Sequence, residues 1–216
     1  MKKYLQILLS ALAAGIWIGI GGTVYLSLRA LEHPIVGAFL FSIGLLMIVT
    51  CSFHLYTGKI GYLFKNKPCY LLELFFIWIG NLGGTALVGY LLRLTRLSVP
   101  QIARKMCEAK LADSGCSIFI LSVFCGILMY AAVNGYRTLK EPFGRFLVVI
   151  FPVAVFILSG FEHCVANMFY FSVANMWSWK AFGYLLLMTF GNSVGGVLLS
   201  FFPFAKSDEK ISYQEN

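Results

Sequence analysis

The 216-residue chain is 59% hydrophobic and only 12% charged, with 20 phenylalanines and a mean hydropathy of +0.81. Soluble domains hold about 45–50% apolar and about 25% charged residues, so a water-exposed globule, a disordered chain and a disulfide scaffold are all excluded. The net charge of +8 belongs to short loops between apolar runs, which argues against nucleic-acid binding and for charges that orient the chain in a bilayer.

Six apolar runs follow one another: Leu5–Leu28, Ile35–Phe64, Leu74–Leu92, Cys116–Val133, Phe146–Val173 and Ala181–Phe204. The N-terminus has the lysines and small residues of a signal peptide, but its apolar run continues to Leu28, long enough to cross a membrane. It is read as a retained first span. A crossing needs about 20 residues. The second and fifth runs exceed that, and each carries polar groups in its later half: His54, Thr57 and Lys59 in one, Glu162, His163 and Asn167 in the other. Overlength, interrupted spans at matching places predict broken helices lining a polar pathway.

Gly80-Asn81-Leu82-Gly83-Gly84 in the third run is echoed by Gly191-Asn192 and Gly195-Gly196 in the sixth. Two three-span halves must enter the membrane from opposite sides, which predicts an inverted repeat over about 1–95 and 96–204. Small residues that let helices approach closely would also account for either motif taken alone. The Lys and Arg bias places both termini in the cytoplasm, with the segment Arg93–Lys110 as a basic exception on the other side. Residues 205–216 read as a polar cytoplasmic tail.

Ionisable groups within a span cost about 2.5–3.5 kcal/mol on insertion scales and are functional candidates by default. Glu162 and His163 are the strongest pair. Neighbours on a continuous helix point about 100° apart, so His163 is expected to face the pathway while Glu162 satisfies backbone donors freed by the break. Thr57 either donates to a permeant anion or bonds its own backbone; Leu55 and Tyr56 either narrow a pore or pack. The six cysteines have neither C-x-x-C nor metal spacing, and no Walker, dinucleotide or hydrolytic constellation occurs. Neither a cofactor, a metal nor an enzymatic activity is expected.

At these residues the sequence resembles the formate/nitrite transporter family over nearly its whole length. Phe151-Pro152-Val153-Ala154, Gly160-Phe161-Glu162-His163 and Ala166-Asn167-Met168 are similar to that family's fifth-helix signature. Leu55-Tyr56-Thr57-Gly58 is similar to its second-helix loop, Gly80-Asn81 and Gly191-Asn192 to its third and sixth helices, and Gly21-Gly22 to its first.

The resemblance implies an all-α, aquaporin-like protomer of six transmembrane helices, with helices 2 and 5 broken, assembled as a homopentamer in the inner (plasma) membrane. His163 becomes the central pore histidine and Thr57 its polar partner. Leu55 and Tyr56 become a cytoplasmic constriction, and Phe41, Leu45 and Phe156 an outer one. Lys110 becomes an anion-attracting lysine in the outer vestibule; the alternative, without the resemblance, is an interfacial snorkelling lysine. Glu162, Asn167 and His54 are assigned to the helix breaks.

The implied function is passage of small monovalent weak-acid anions (formate, nitrite, hydrosulfide), with a proton supplied by His163. Three departures stand out. His54 replaces a carboxylate, Gly126 replaces an asparagine that supports the histidine, and only four residues precede the first run. A neutral-solute channel of aquaporin type is the competing class, but the paired Asn-Pro-Ala motifs it would carry are missing from the sequence. A membrane enzyme or sensor using Glu162 and His163 is a second rival.

Overall fold

The computed structural model describes residues 2–202, and the tail expected over 205–216 lies outside the described residues. The described residues form helices without strands: α1 (Lys2–Ala30), α2 (Pro34–Phe41), α3 (Ile43–Thr50), α4 (Tyr56–Lys59) leading into a 3-10 turn (Ile60–Lys65), α5 (Tyr70–Leu92), α6 (Val99–Ala112), α7 (Gly115–Thr138), α8 (Pro142–Leu158), α9 (Cys164–Ala174) and α10 (Trp179–Ser200). Among them α1, α5, α7 and α10 are long and apolar enough to cross a membrane. The second and fifth runs are interrupted, as their length and polar content predict.

Glycines set how the long helices meet. Along α1 and α5, Gly15 and Gly84 face each other so closely that a Cβ on Gly15 would lie 2.9 Å from the Thr85 nitrogen. The two helices run in the same direction, since Lys3 pairs with Glu73 at one end and Gly19 meets Val88 toward the other. Helices α7 and α10 repeat this arrangement at one constant sequence interval. Gly126 stands to Asn192 as Gly15 stands to Asn81, and Gly195 meets Val123 and Ile127 as Gly84 meets Leu12 and Ile16. Such close approach is how helices associate where no hydrophobic drive exists between them and lipid.

The face where α1 and α5 begin is also where α7 and α10 end. Phe64, after α4, stacks on Phe201 just beyond α10, and the Tyr70 hydroxyl donates to the Lys59 carbonyl. At the opposite face, Arg29 at the end of α1 shares a cavity with Lys105 and Lys110.

Helix α6 lies in the basic segment that the sequence treats as a connection. Val99, Ala103 and Cys107 recur every four residues and are buried, while Arg104, Lys105 and Glu108 are exposed. A one-sided apolar stripe on a short, charged helix suits the edge of a membrane protein better than its interior.

Candidate functional site

Each interrupted run turns on a left-handed residue and continues as a short extended stretch. In the first, Ser52 has φ 59° and Leu55 lies extended before α4. In the second, Gly160 has φ 71° and His163 lies extended before α9. The chain leaves helical geometry inside an apolar slab, so the freed amides and carbonyls need partners.

Two asparagines supply them. The Asn81 amide donates to the carbonyls of Ala11 (2.8 Å) and His54 (2.9 Å), and its Oδ1 accepts from the Tyr56 N–H (2.9 Å). Asn192 donates to the carbonyls of Ser122 (2.7 Å) and Glu162 (2.8 Å), and its Oδ1 accepts from the Cys164 N–H (2.8 Å). Each asparagine therefore straddles one residue, gripping the carbonyl before it and the N–H after it. The gripped residues are Leu55 and His163. The Gly-Asn echo thus has two physical roles: glycine lets the helices touch, and asparagine holds the break.

His163 is 2% exposed and Thr57 fully buried. The His163 Nδ1 accepts from the Ala166 N–H at 3.0 Å, capping α9, and its Nε2 lies 2.9 Å from the Thr57 Oγ. A backbone N–H can only donate, so Nδ1 is the acceptor nitrogen and the ring proton sits on Nε2, donated to Thr57. The Thr57 hydroxyl proton is then free to point elsewhere. The cap, and not a side chain from α7, fixes the tautomer; at the expected support position Gly126 instead packs on the Asn192 backbone. Phe156 lies over the imidazole with centroids 5.5 Å apart, and Phe41 meets Phe156 edge-on at 5.8 Å. Leu45 is buried in the same core.

Glu162 does not take up the freed backbone donors as the sequence suggests. Its carboxylate accepts both contacts of Lys110 (2.7 and 2.6 Å) and the Asn167 amide (2.8 Å). The Lys110 and Glu162 side chains are 14% and 4% exposed, so this is a buried pair whose charges cancel locally. Asn167 also donates to the His163 carbonyl (3.0 Å), and among the described residues its buried Oδ1 has no partner. Lys110, His163, Asn167, Phe156 and Arg29 border one cavity of about 90 Å³. Outside it, Arg29, Lys105 and Lys110 line a wider basin of about 400 Å³. Arg29 and Lys105 are not ion-paired among the described residues.

The other side places its residues differently. Leu55 borders a cavity with Lys59, Arg137 and Arg145, whereas Tyr56 borders a separate apolar cavity and pairs its hydroxyl with Ser193 at 3.0 Å. Leu55 and Tyr56 therefore do not line a common space here. Half-buried His54 sits with Nδ1 3.1 Å from the Ser10 hydroxyl. Arg29 was not singled out from sequence; its signal was a lone cation closing the first apolar run.

Apolar spanning helices around two broken segments that meet at a buried histidine and threonine define a multi-pass membrane protein of the transporter class. Residues 1–205 match the family model described as formate/nitrite transporter, and the chain belongs to that family, whose members are transporters rather than enzymes. It is 25% identical over 187 residues to the formate channel FocB of Escherichia coli, covering 78% of this chain and 66% of that one, just under two thirds of its length. A solved pentameric formate channel with formate bound superposes with a TM-score of 0.75 at 25% identity, over 91% of this chain and 94% of that one. An FNT family ion channel superposes at 0.82 and 25% identity, over 91% and 87%.

Proposed function

We propose that this protein is a channel for small monovalent anions of weak acids, such as formate, nitrite or hydrosulfide. The observation that carries the reading is the buried Thr57–His163 contact, with Phe156 and Phe41 on one side and Leu55 toward the other. A bare anion crossing an apolar ring loses its hydration at high cost, and hydrogen-bond donors at the centre offset part of it. The free Thr57 hydroxyl is such a donor, held in place by the His163 Nε2–H. The similarity to channels titled for formate supports this choice of substrate.

In this reading the six spans are α1, α2 to α4, α5, α7, α8 with α9, and α10. They form two inverted halves over about 1–95 and 96–204, with both termini cytoplasmic in the plasma membrane. The matching asparagine grips and glycine contacts support the repeat. The pentameric neighbour supports a homopentamer with one pathway per subunit. Phe41, Leu45 and Phe156 form the outer narrowing, and Leu55 the inner one.

At the outer mouth the attraction comes chiefly from Arg29 and Lys105. Lys110 shares that basin, but its charge is balanced by Glu162. Proton supply by His163 is coupled to the α9 cap. A proton added at Nδ1 removes the acceptor that holds the Ala166 N–H, so protonation and that bond exclude each other. The proton step is therefore also a local opening at the start of α9.

Flux of formate, nitrite and glycerol into proteoliposomes tests the proposal. Saturable formate or nitrite entry with no glycerol entry is expected. Glycerol entry without anion entry would refute it in favour of a neutral-solute channel.

A further inference from the structure

Where α5 ends, a cavity of about 270 Å³ is bordered by Arg93, Gln101, Arg104, Val173 and Ala174. Arg93 caps the end of α5, Gln101 and Arg104 belong to the first turns of α6, and Val173 and Ala174 close α9. The cavity shares no lining residue with the spaces around His163 and Arg29, so it is separate from both.

This corner holds basic residues that the orientation rule does not explain, because the segment Arg93–Lys110 runs against the bias toward the other face. Lys110 answers Glu162, and Lys105 borders the basin with Arg29. Arg93 and Arg104 remain to be accounted for, and both are exposed. The Arg104 Nε meets Glu108 at 3.4 Å, but those side chains are 65% and 58% exposed, so the pair holds little and occupies one edge of the guanidinium. The carbonyl end of α9 attracts cations too, and one arginine suffices for that.

Next to the arginines runs an apolar strip. Gly83, Leu87, Tyr90, Leu91 and Leu94 recur at three- and four-residue spacing along one side of α5 and its continuation, and all five are exposed. Leu94 is 85% exposed, and a Cβ on Gly83 would meet nothing within 4 Å. Arg93 stands one turn beyond Tyr90 on that side. Helix α5 is long and apolar enough to cross a membrane, so its end reaches the level of the headgroups.

Two guanidiniums on one cavity match a phosphodiester, which their planar forks can grip bidentately, and the strip beside them matches the hydrocarbon that hangs from it. We propose that the Arg93–Arg104 cavity binds the phosphodiester of an anionic phospholipid, with an acyl chain laid along Leu87, Tyr90 and Leu91. A choline headgroup fits less well, because its ammonium adds a third cation to the site. A phosphate held by both arginines ties the end of α5 to α6, the helix that carries Lys110. The proposal is independent of what the protein conducts.

Native mass spectrometry of the lipid-stripped protein in mild detergent tests this, with phosphatidylglycerol, phosphatidylcholine and glycerol 1-phosphate as probes. Phosphatidylglycerol is expected to bind saturably, and about tenfold or more tighter than phosphatidylcholine. Arg93→Gln with Arg104→Gln should weaken it by at least about tenfold, whereas Lys180→Gln, which removes an exposed cation at the start of α10, should leave it unchanged. In thermal melts phosphatidylglycerol should raise the Tm of the parent and not of the double Gln variant, and the two should melt alike without lipid. Equal binding by parent and double variant, an equal loss in Lys180→Gln, or equal affinity for phosphatidylcholine would each overturn the site. Glycerol 1-phosphate stabilising as well as the intact lipid would also overturn it, by reducing the cavity to a free-anion site. A double Gln variant that melts lower or breaks into smaller assemblies before lipid is added would overturn it in favour of an internal brace or a contact between copies.

Discussion

Replacing His163 with asparagine separates the structural work of this side chain from its proposed proton chemistry. Asparagine is among the best N-caps, and its Oδ1 can accept from the Ala166 N–H as the imidazole Nδ1 does. What it loses is the 2.9 Å contact with Thr57 and the Phe156 ring above it. A net hydrogen bond contributes about 0.5–1.5 kcal/mol and an aromatic pair a similar amount, so the variant should lose about 1–3 kcal/mol. For a chain of this size that lowers Tm by about 2–4 °C per kcal/mol, which leaves an assembled protein to study. His163→Ala adds the loss of the cap, a further 0.5–2 kcal/mol or about that, and should melt lower still.

The assay is formate uptake by proteoliposomes between about pH 5 and about pH 8, the range in which an imidazole changes charge. Leak through protein-free liposomes is subtracted. Uptake by the parent protein should rise as the pH falls, and His163→Asn should flatten that rise while retaining a pH-independent flux. His163→Phe, which removes the imidazole that holds Thr57 and puts an apolar ring at the centre, should close the pathway while the oligomer persists. A parent-like pH profile in correctly assembled His163→Asn would refute the proton role and redirect attention to His54.

Three further outcomes follow from the same geometry. Lys110→Met strands the Glu162 carboxylate in a buried site and should destabilise by about 3–5 kcal/mol, whereas adding Glu162→Gln should restore most of it; thermal melts of both variants check this, and equal melts would dissolve the pair as a unit. Arg29→Gln should reduce formate entry from the outer face several-fold at low salt and little at high salt, with fluxes from that face as the readout. Asn192→Leu leaves the Glu162 carbonyl and the Cys164 N–H without their partner, at about 1–3 kcal/mol each, so its Tm in detergent should fall well below that of Thr189→Ala on the same helix.

Much of this was legible in the sequence because lipid leaves so few solutions. Overlength apolar runs holding His54, Thr57, Glu162 and His163 had to break, and they break there. The partnership of Thr57 with His163 was reachable only through resemblance, since no spacing rule joins residues so far apart in the chain. Three readings changed, that of Lys110 because Glu162 balances its charge. Glu162 answers Lys110 and Asn167 instead of the backbone, because Asn192 already occupies the freed groups. Tyr56 turns away from the space that Leu55 borders, since adjacent residues at a helix start diverge. Helix α6 escaped notice because its charge dominated its composition, although Val99, Ala103 and Cys107 carried the four-residue rhythm of a buried stripe.

The asparagine grips have a consequence for how such a pathway can be altered. Asn81 and Asn192 hold the backbone on either side of Leu55 and His163 through hydrogen bonds to main-chain atoms. At Leu55 the backbone shape is thereby held independently of the side chain, whereas at His163 the imidazole adds its own cap on α9. Each gripped position is a socket on the same support: in one half it displays a hydrocarbon, in the other an imidazole whose replacement must also cap α9. Selectivity can drift or be redesigned by exchanging the occupant of a socket, with the scaffold around it left in place.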